Sequence, residues 1–241
     1  MRISISGSAC VGKSTLVESF KRRWPMYAYP QKTYRDIISE NDLSHSSNTN
    51  EDTQLLILDW MLKEQEKFPS GSKVIYDRCG WDNLAYTLQG NSNDLISDEV
   101  TAATISLVRE SMKGLDIIFW LKRDPNIKIV NDAMRDTDPA FLQQTDQIFE
   151  DLMHQYCENL ESDIFYPKED SPLIIQVEGV DLDSRIAFIA EFIDRNGNLI
   201  ETETSILDPQ NLDILEQMIK DQEGQKLSED QLNAVMKKLK Y

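Results

Sequence analysis

A three-layer α/β/α sandwich, with a mostly parallel five-stranded sheet and a small C-terminal appendage, is the fold class this 241-residue sequence predicts. Short apolar runs alternate with helical patterns from residue 2 to residue 195. The run Ile117-Ile118-Phe119-Trp120-Leu121 lacks any polar alternation, as expected of a parallel strand covered on both faces. Near the start, Ile3-Ser4-Ile5 leads into Gly7-Ser8-Ala9-Cys10-Val11-Gly12-Lys13-Ser14-Thr15, which fits the spacing G-x-x-x-x-G-K-[ST] and opens a helical pattern.

Taken in order, the first strand covers about Arg2 to Ser6. The first helix runs from Lys13 to about Arg23, with Leu16, Val17 and Phe20 on one face. Trp24-Pro25 stops it, and Lys21-Arg22-Arg23 compensate its dipole. Met26 to Tyr29 is a short second strand, and Pro30 to Asp36 lead into a brief helix. The Ser- and Asn-rich stretch Asn41 to Asn50 is turn-like and a candidate lid. A helix is expected over Glu51 to Lys67, with Leu55, Leu58 and Leu62 beside Leu56 and Trp60 as a face broad enough to be buried, and Pro69 and Gly71 end it. Lys73 to Asp77 form a strand, followed by a helix from about Asp82 to just before Gly90. Ser97 caps the next helix, with Asp98 and Glu99 in its first turn and Gly114 past its end. After the Asp116 to Leu121 strand comes the charged stretch Lys122 to Asp138. Pro139 then starts a long helix with Phe141, Ile148, Leu152, Tyr156 and Leu160 along one stripe. Leu173 to Val177 are the fifth strand and Leu182 to Ile193 the closing helix.

The turn cluster Asp194 to Asn198 separates a domain of residues 1–195 from an appendage of residues 196–241. The appendage reads as a strand or hairpin arm and two short helices, the last capped by Ser228 and Gln231. Its apolar stripes either pack on the domain or form a homodimer or partner surface.

Net charge is −17 and the pI about 4.5, which argues against binding duplex DNA or an anionic membrane. Three widely spaced cysteines and two histidines indicate neither a disulfide framework nor a zinc site. No run approaches a membrane span and the N-terminus lacks a signal peptide's apolar core, so a cytoplasmic protein is expected.

The glycine-rich stretch carries the chemistry. Its glycines let backbone N–H groups converge on phosphate oxygens, with Lys13 reaching the β- and γ-phosphates of ATP, Ser14 liganding Mg²⁺ and the helix dipole adding positive charge. Asp77 and Arg78 stand at the carboxyl end of a strand, the edge where open parallel sheets bind ligands. Asp77 either holds Mg²⁺ or accepts a proton from a substrate hydroxyl, and Arg78 clamps a phosphate or orients the acceptor. Arg135, in the charged stretch, is a candidate finger for the γ-phosphoryl group, with Arg123 as the alternative. No N-K-x-D motif is present to read guanine.

Gly7 to Thr15, Thr33-Tyr34-Arg35, Gln54, Asp77-Arg78-Cys79 with Asp82-Asn83-Leu84-Ala85-Tyr86, and Asp132-Ala133-Met134-Arg135 together resemble the nicotinamide-riboside-kinase-like AAA family of P-loop kinases. Its phage-encoded members are described as nucleoside or deoxynucleotide kinases, which implies the host cytoplasm for a phage-borne gene. The resemblance spans about Met1 to Arg195. It implies that Gly7, Ser8, Ala9, Cys10, Val11, Gly12, Lys13, Ser14 and Thr15 bind ATP, that Ser14 and Asp77 face Mg²⁺, and that Lys13, Asp77 and Arg135 serve catalysis. Tyr34, Arg35, Gln54, Arg78, Asp82 and Tyr86 are implied on the acceptor side. Two departures stand out. Gln31, Lys32 and Thr33 occupy the region where many relatives carry a glutamate, and Gly80-Trp81 replace proline and an aliphatic residue, so that Trp81 either stacks on a base or packs. The expected function is transfer of the γ-phosphoryl group of ATP to a small-molecule nucleoside or (deoxy)nucleoside monophosphate. The alternatives are a kinase acting on a modified base in DNA and a regulatory module that binds ATP without turnover.

Overall fold

The computed structural model describes residues 1–41, 43, 49–124, 138–158, 165–167 and 169–200. Arg135, the Asp132 to Arg135 motif, most of the Lys122 to Asp138 stretch, the centre of the Asn41 to Asn50 stretch, Leu160 and residues 201–241 of the appendage lie outside them.

Strand β1 (Arg2–Ser6) is the axis of the sheet. It pairs in parallel with β2 (Val74–Asp77) on one side and β3 (Ile117–Trp120) on the other, and β4 (Leu173–Gln176) pairs in parallel with β3. The order is β2-β1-β3-β4. Alternation along β1 sends Ile3 and Ile5 to one face and Ser4 and Ser6 to the other. The isoleucine face packs with Ile75, Ile117 and Phe119 against Leu16, Val17 and Phe20 of α1 (Lys13–Arg23) and Ile186 and Ile189 of α7 (Leu182–Ile189).

On the opposite face, Val74, Tyr76, Ile118 and Trp120 meet four helices: α3 (Glu51–Glu66), α4 (Gly80–Ser92), α5 (Asp98–Met112) and α6 (Pro139–Glu158). On this face Ser6 Oγ donates to Asp82 in the first turn of α4 at 2.7 Å. A short helix α2 (Tyr34–Glu40), with a capping box formed by Thr33 and Asp36, packs on α3. The three layers of the expected sandwich are thus in place.

Four strands are present among the described residues, where the sequence predicts five. The Met26 to Tyr29 segment joins β2 only through the parallel bridge Ala28↔Val74. Ala28 N–H donates to Lys73 O at 2.8 Å and Ile75 N–H to Ala28 O at 3.0 Å. Pro30, which has no N–H, follows two residues later. Helix α4 also differs from its predicted bounds. It begins at Gly80, because Cys79 is its N-cap and Asp82 the third helical residue of a capping box, and it continues through Gly90. A Cβ at Gly90 would come 2.6 Å from Ile96 Cδ1, so this glycine permits a close packing contact without ending the helix.

The chain divides after Leu199 into two units, Met1–Leu199 and Ile200–Tyr241. Asn196 to Leu199 belong with the first. Tyr27 Oη donates to Gly197 O at 2.9 Å, Trp24 Nε1 to Asp194 O at 2.7 Å, and Ile193 bridges Leu199.

Candidate active site

The loop between β1 and α1 is built almost entirely from backbone. Gly7 has φ 138°, and a Cβ there would lie 2.5 Å from Leu121 O. Gly12, at φ 94°, is the N-cap of α1 and leaves the first-turn N–H groups without a side-chain acceptor. Such a turn is a ready anion site, because exposed N–H groups and the helix dipole point the same way. Lys13, 6% exposed, donates from Nζ to Gly7 O at 2.6 Å and Ser8 O at 2.5 Å, folding back over the loop. Burial, reinforced by the nearby Arg78 charge, lowers its pKa from 10.5 to about 7.

Two arginines hold the outer side of the loop. Arg123 donates to Ala9 O at 2.7 Å and Ser8 Oγ at 3.1 Å while paired with Asp146 at 2.5 Å. Arg185 donates to Val11 O at 2.8 Å and Gly179 O at 3.0 Å.

Parallel pairing of β1 with β2 sets Asp77 opposite Ile5, beside the start of α1. Ser14 Oγ donates to Asp77 Oδ2 at 2.6 Å, whereas Asp77 Oδ1 is buried without a hydrogen-bond partner. A hydroxyl and a carboxylate with a spare oxygen, beside an anion-binding loop, are hard oxygen donors suited to Mg²⁺ bound with a nucleotide. These residues fit that group.

Arg78 follows Asp77 with φ 82°, a costly conformation for a non-glycine residue and one found at functional sites. Its backbone N–H still bonds to Ile5 O at 3.0 Å. The strained turn places its guanidinium 4.5 Å from the Tyr34 ring centroid, 5.2 Å from that of Tyr86 and 3.5 Å from Asp82 Oδ1. Asp82, 1% exposed, accepts from Ser6 Oγ at 2.7 Å, Cys79 N–H at 3.0 Å and Gly7 N–H at 3.2 Å. Burial raises its carboxyl pKa, while Arg78, Lys13 and the donated hydrogen bonds favour the ionised form. Asp82 therefore braces the phosphate loop and Arg78 from behind.

A cavity of about 110 Å³ runs from this loop to a second wall made by α2, α3, α4 and α6. Tyr34, Arg35, Gln54, Arg78, Asp82 and Tyr86 all line it, together with Asn83, Thr53 and Phe141. Its floor is apolar, formed by Ile38, Ile57 and Met61. Tyr86 stacks on Phe141 with ring centroids 6.3 Å apart. Gln54 Nε2 donates to Thr49 Oγ1 at 2.7 Å, and Asn83 Nδ2 donates to Gln54 Oε1 at 2.9 Å. Asn83 Oδ1 and Thr53 Oγ1 are buried without partners on the protein. Burial pushes the Tyr34 hydroxyl pKa up, and the Arg78 and Arg35 charges more than reverse this, leaving it lowered.

Every sequence-predicted site residue except Arg135, which lies outside the described residues, lies in or immediately beside this cavity. Trp81 does not. It is fully buried, donates from Nε1 to Tyr166 Oη at 3.0 Å, and packs edge-on against Trp120 and Phe149, which excludes the base-stacking alternative. Arg185 and Ser6 escaped the sequence reading: Arg185 lies in an ordinary amphipathic helix and Ser6 in an ordinary strand, and only folding brings them to the loop. Asn83 had a weak signal, its place within the Asp82 to Tyr86 motif.

Strand, glycine loop and helix, with Lys13 and the Ser14–Asp77 pair, define a P-loop nucleotide-binding fold. A family model described as an AAA domain matches residues 2–160, and the chain belongs to that family. No curated protein matches. Among solved structures, deoxyadenosine kinase from M. mycoides, with products dCMP and a flexible dCDP bound, is similar at a TM-score of 0.58 and 15% identity, covering 79% of this chain and 97% of that one. The NadR protein in complex with NR is similar at a TM-score of 0.56 and 15% identity, covering 84% of this chain and 53% of that one. This chain thus spans about half the length of NadR. A second NadR structure, in complex with NAD and AMP-PNP, gives a TM-score of 0.54, also at 15% identity, covering 85% of this chain and 51% of that one. At such identities the likeness is one of fold.

Proposed function

We propose that the chain is an ATP-dependent kinase that transfers the γ-phosphoryl group to a nucleoside or (deoxy)nucleoside monophosphate. The observation that carries this reading is a single cavity joining a phosphate-binding loop to a polar, aromatic-lined wall on α2, α3 and α4. A motor or switch needs a nucleotide site; a kinase needs a second site facing the donor phosphates.

In this mechanism the N–H groups of Gly7 to Thr15 hold the donor phosphates. Lys13 leaves the Gly7 and Ser8 carbonyls to meet the β- and γ-phosphates, whose charge restores its proton. Bound at Ser14 and Asp77, Mg²⁺ would offset negative charge on the transferring group. Arg78 stands between the two ends, positioned to stabilise charge that develops in transfer. Gln54 and Asn83 face the acceptor, with Asn83 Oδ1 free to accept from it, and the Tyr86–Phe141 pair offers an aromatic surface. We further propose Arg135 as the γ-phosphoryl finger, Ile200–Tyr241 as a separate appendage, and a nicotinamide-riboside-kinase-like, phage-type affiliation with a cytoplasmic site of action. Among the described residues no helix is long and apolar enough to cross a membrane.

The test is incubation with ATP, Mg²⁺ and a panel of nucleosides, nucleoside monophosphates, nicotinamide riboside and DNA, with products read by mass and Lys13→Ala as control. A phosphorylated small molecule that disappears with Lys13→Ala supports the reading. Phosphate gained only by DNA would replace it with the modified-base reading, and ATP binding without transfer to any acceptor would replace it with the regulatory one.

A further inference from the structure

We propose that the phosphoryl acceptor is a nucleoside monophosphate rather than a nucleoside, its phosphate held by Arg35 and Arg78 at the place Tyr34 Oη now occupies. This deepens the kinase reading above and rests on it.

The first argument is unmet positive charge. Arg35 Nε lies 3.2 Å from Tyr34 Oη and Arg78 Nη2 3.5 Å from the same oxygen, so two guanidinium forks converge on one phenol oxygen. Arg35 has no carboxylate within 4.0 Å among the described residues, and Arg78 has only Asp82, at 3.5 Å. Arg78 is 9% exposed, so solvent does little to screen it. Two convergent guanidiniums short of carboxylates match the oxygens of a phosphate monoester, which accepts bidentate hydrogen bonds. A neutral ribose hydroxyl would leave them unmatched, and a cationic acceptor would be repelled.

The second argument is the missing base. Attack by a nucleoside hydroxyl requires a group to take its proton. The carboxylates lining the cavity among the described residues are Asp77 and Asp82. Asp82 accepts from Ser6, Gly7 and Cys79 at the back of the loop. Asp77 accepts from Ser14, and its spare oxygen belongs to the pair that fits Mg²⁺.

A phosphate monoester needs no base, since it is already an anionic nucleophile near neutral pH. Its oxygen forms the new bond to the γ-phosphorus, the bond from that phosphorus to the β,γ-bridging oxygen breaks, and the electron pair leaves with ADP. A dianionic monophosphate and tetra-anionic ATP become trianionic diphosphate and trianionic ADP, with no proton exchanged. Phosphorylation of a nucleoside, by contrast, releases a proton.

The test compares each common nucleoside with its own 5′-monophosphate, using the full chain, ATP and Mg²⁺ in weak buffer near pH 8. ADP formation and proton release are followed together. We expect the monophosphates to be used with at least a roughly hundredfold higher kcat/KM, the scale of charged hydrogen bonds to two arginines, and ADP to form without proton release. Arg35→Ala should raise the acceptor KM by roughly ten- to a hundredfold while the KM for ATP stays within about twofold, which also shows that the variant folds; Arg35→Lys should recover part of the loss. Equal or better use of nucleosides, or an acceptor KM indifferent to Arg35→Ala, overturns the proposal and leaves the kinase reading standing. Failure to phosphorylate either class, with ATP still bound, removes the kinase reading itself and the proposal with it.

Discussion

At the donor end of the cavity the contacts come from nine consecutive residues, Gly7 to Thr15, whose working groups are mostly backbone N–H and whose conformation is enforced by glycine. At the acceptor end they come from Tyr34, Gln54, Asn83, Tyr86 and Phe141, on four helices, and their working groups are side chains. Under the kinase reading proposed above, the donor end recognises something invariant, a chain of phosphates, so one local motif suffices. Under that same reading the acceptor end must tell one small molecule from others, with polar atoms held in place by neighbours, as Asn83 is by Gln54. Damage to the first should abolish the reaction; damage to the second should redirect or weaken it.

The sharpest break between the two comes from Lys13→Met, which keeps a chain of similar length and removes the charge. It should lower kcat/KM about a thousandfold or more for every acceptor alike, by steady-state assay. A loss below tenfold would mean that Lys13 does not leave the loop carbonyls.

Gly7→Ala tests whether the donor end is truly limited by backbone. The φ of 138° and the contact 2.5 Å from Leu121 O predict destabilisation by about 2–3 kcal/mol together with lost ATP binding. Gly71→Ala, at φ 86° with nothing within 4 Å, should cost about 1 kcal/mol and leave ATP binding intact. Urea titration and ATP binding of the two variants give the comparison.

The depressed pKa of Lys13 predicts a pH signature confined to the donor end. Between the folded value of about 7 and the ordinary 10.5, the unfolded chain binds more protons, so stability without nucleotide should rise as pH increases through that window. The slope is at most about 1.4 kcal/mol per pH unit. Lys13→Met should flatten the difference, and nucleotide binding near pH 8 should take up protons, measurable by calorimetry in buffers of different ionisation enthalpy.

The smallest effect belongs to the acceptor end. Asn83→Ala removes the unpartnered acceptor Oδ1 and should raise the KM of the preferred acceptor by about tenfold, with the KM for ATP unchanged. A matching change in the KM for ATP would show that the two ends are not separate.

Much of the donor end was legible in the residues because it is local: the spacing of Gly7, Gly12, Lys13 and Ser14 encodes its own geometry. Asp77 and Arg78 were legible from a second rule, that strand ends at one edge of a parallel sheet gather ligands. Asp82 shows the limit. It lines the cavity, and what its place in the motif did not show is that Ser6, Gly7 and Cys79 also donate to its oxygens. Trp81 was undecidable from a chain that also supplies Trp120, Phe149 and Tyr166 to enclose it.

By itself the sequence determined the alternation of strands and helices and the phosphate loop, because each is written in spacing over a few residues. The tertiary structure decided that the Met26 to Tyr29 segment contributes one bridge, that Arg123 and Arg185 grip the loop from residues far along the chain, and that Arg35 and Arg78 converge on one oxygen. Those facts depend on distances between segments, and no local pattern of side chains specifies which distant partner a guanidinium will find.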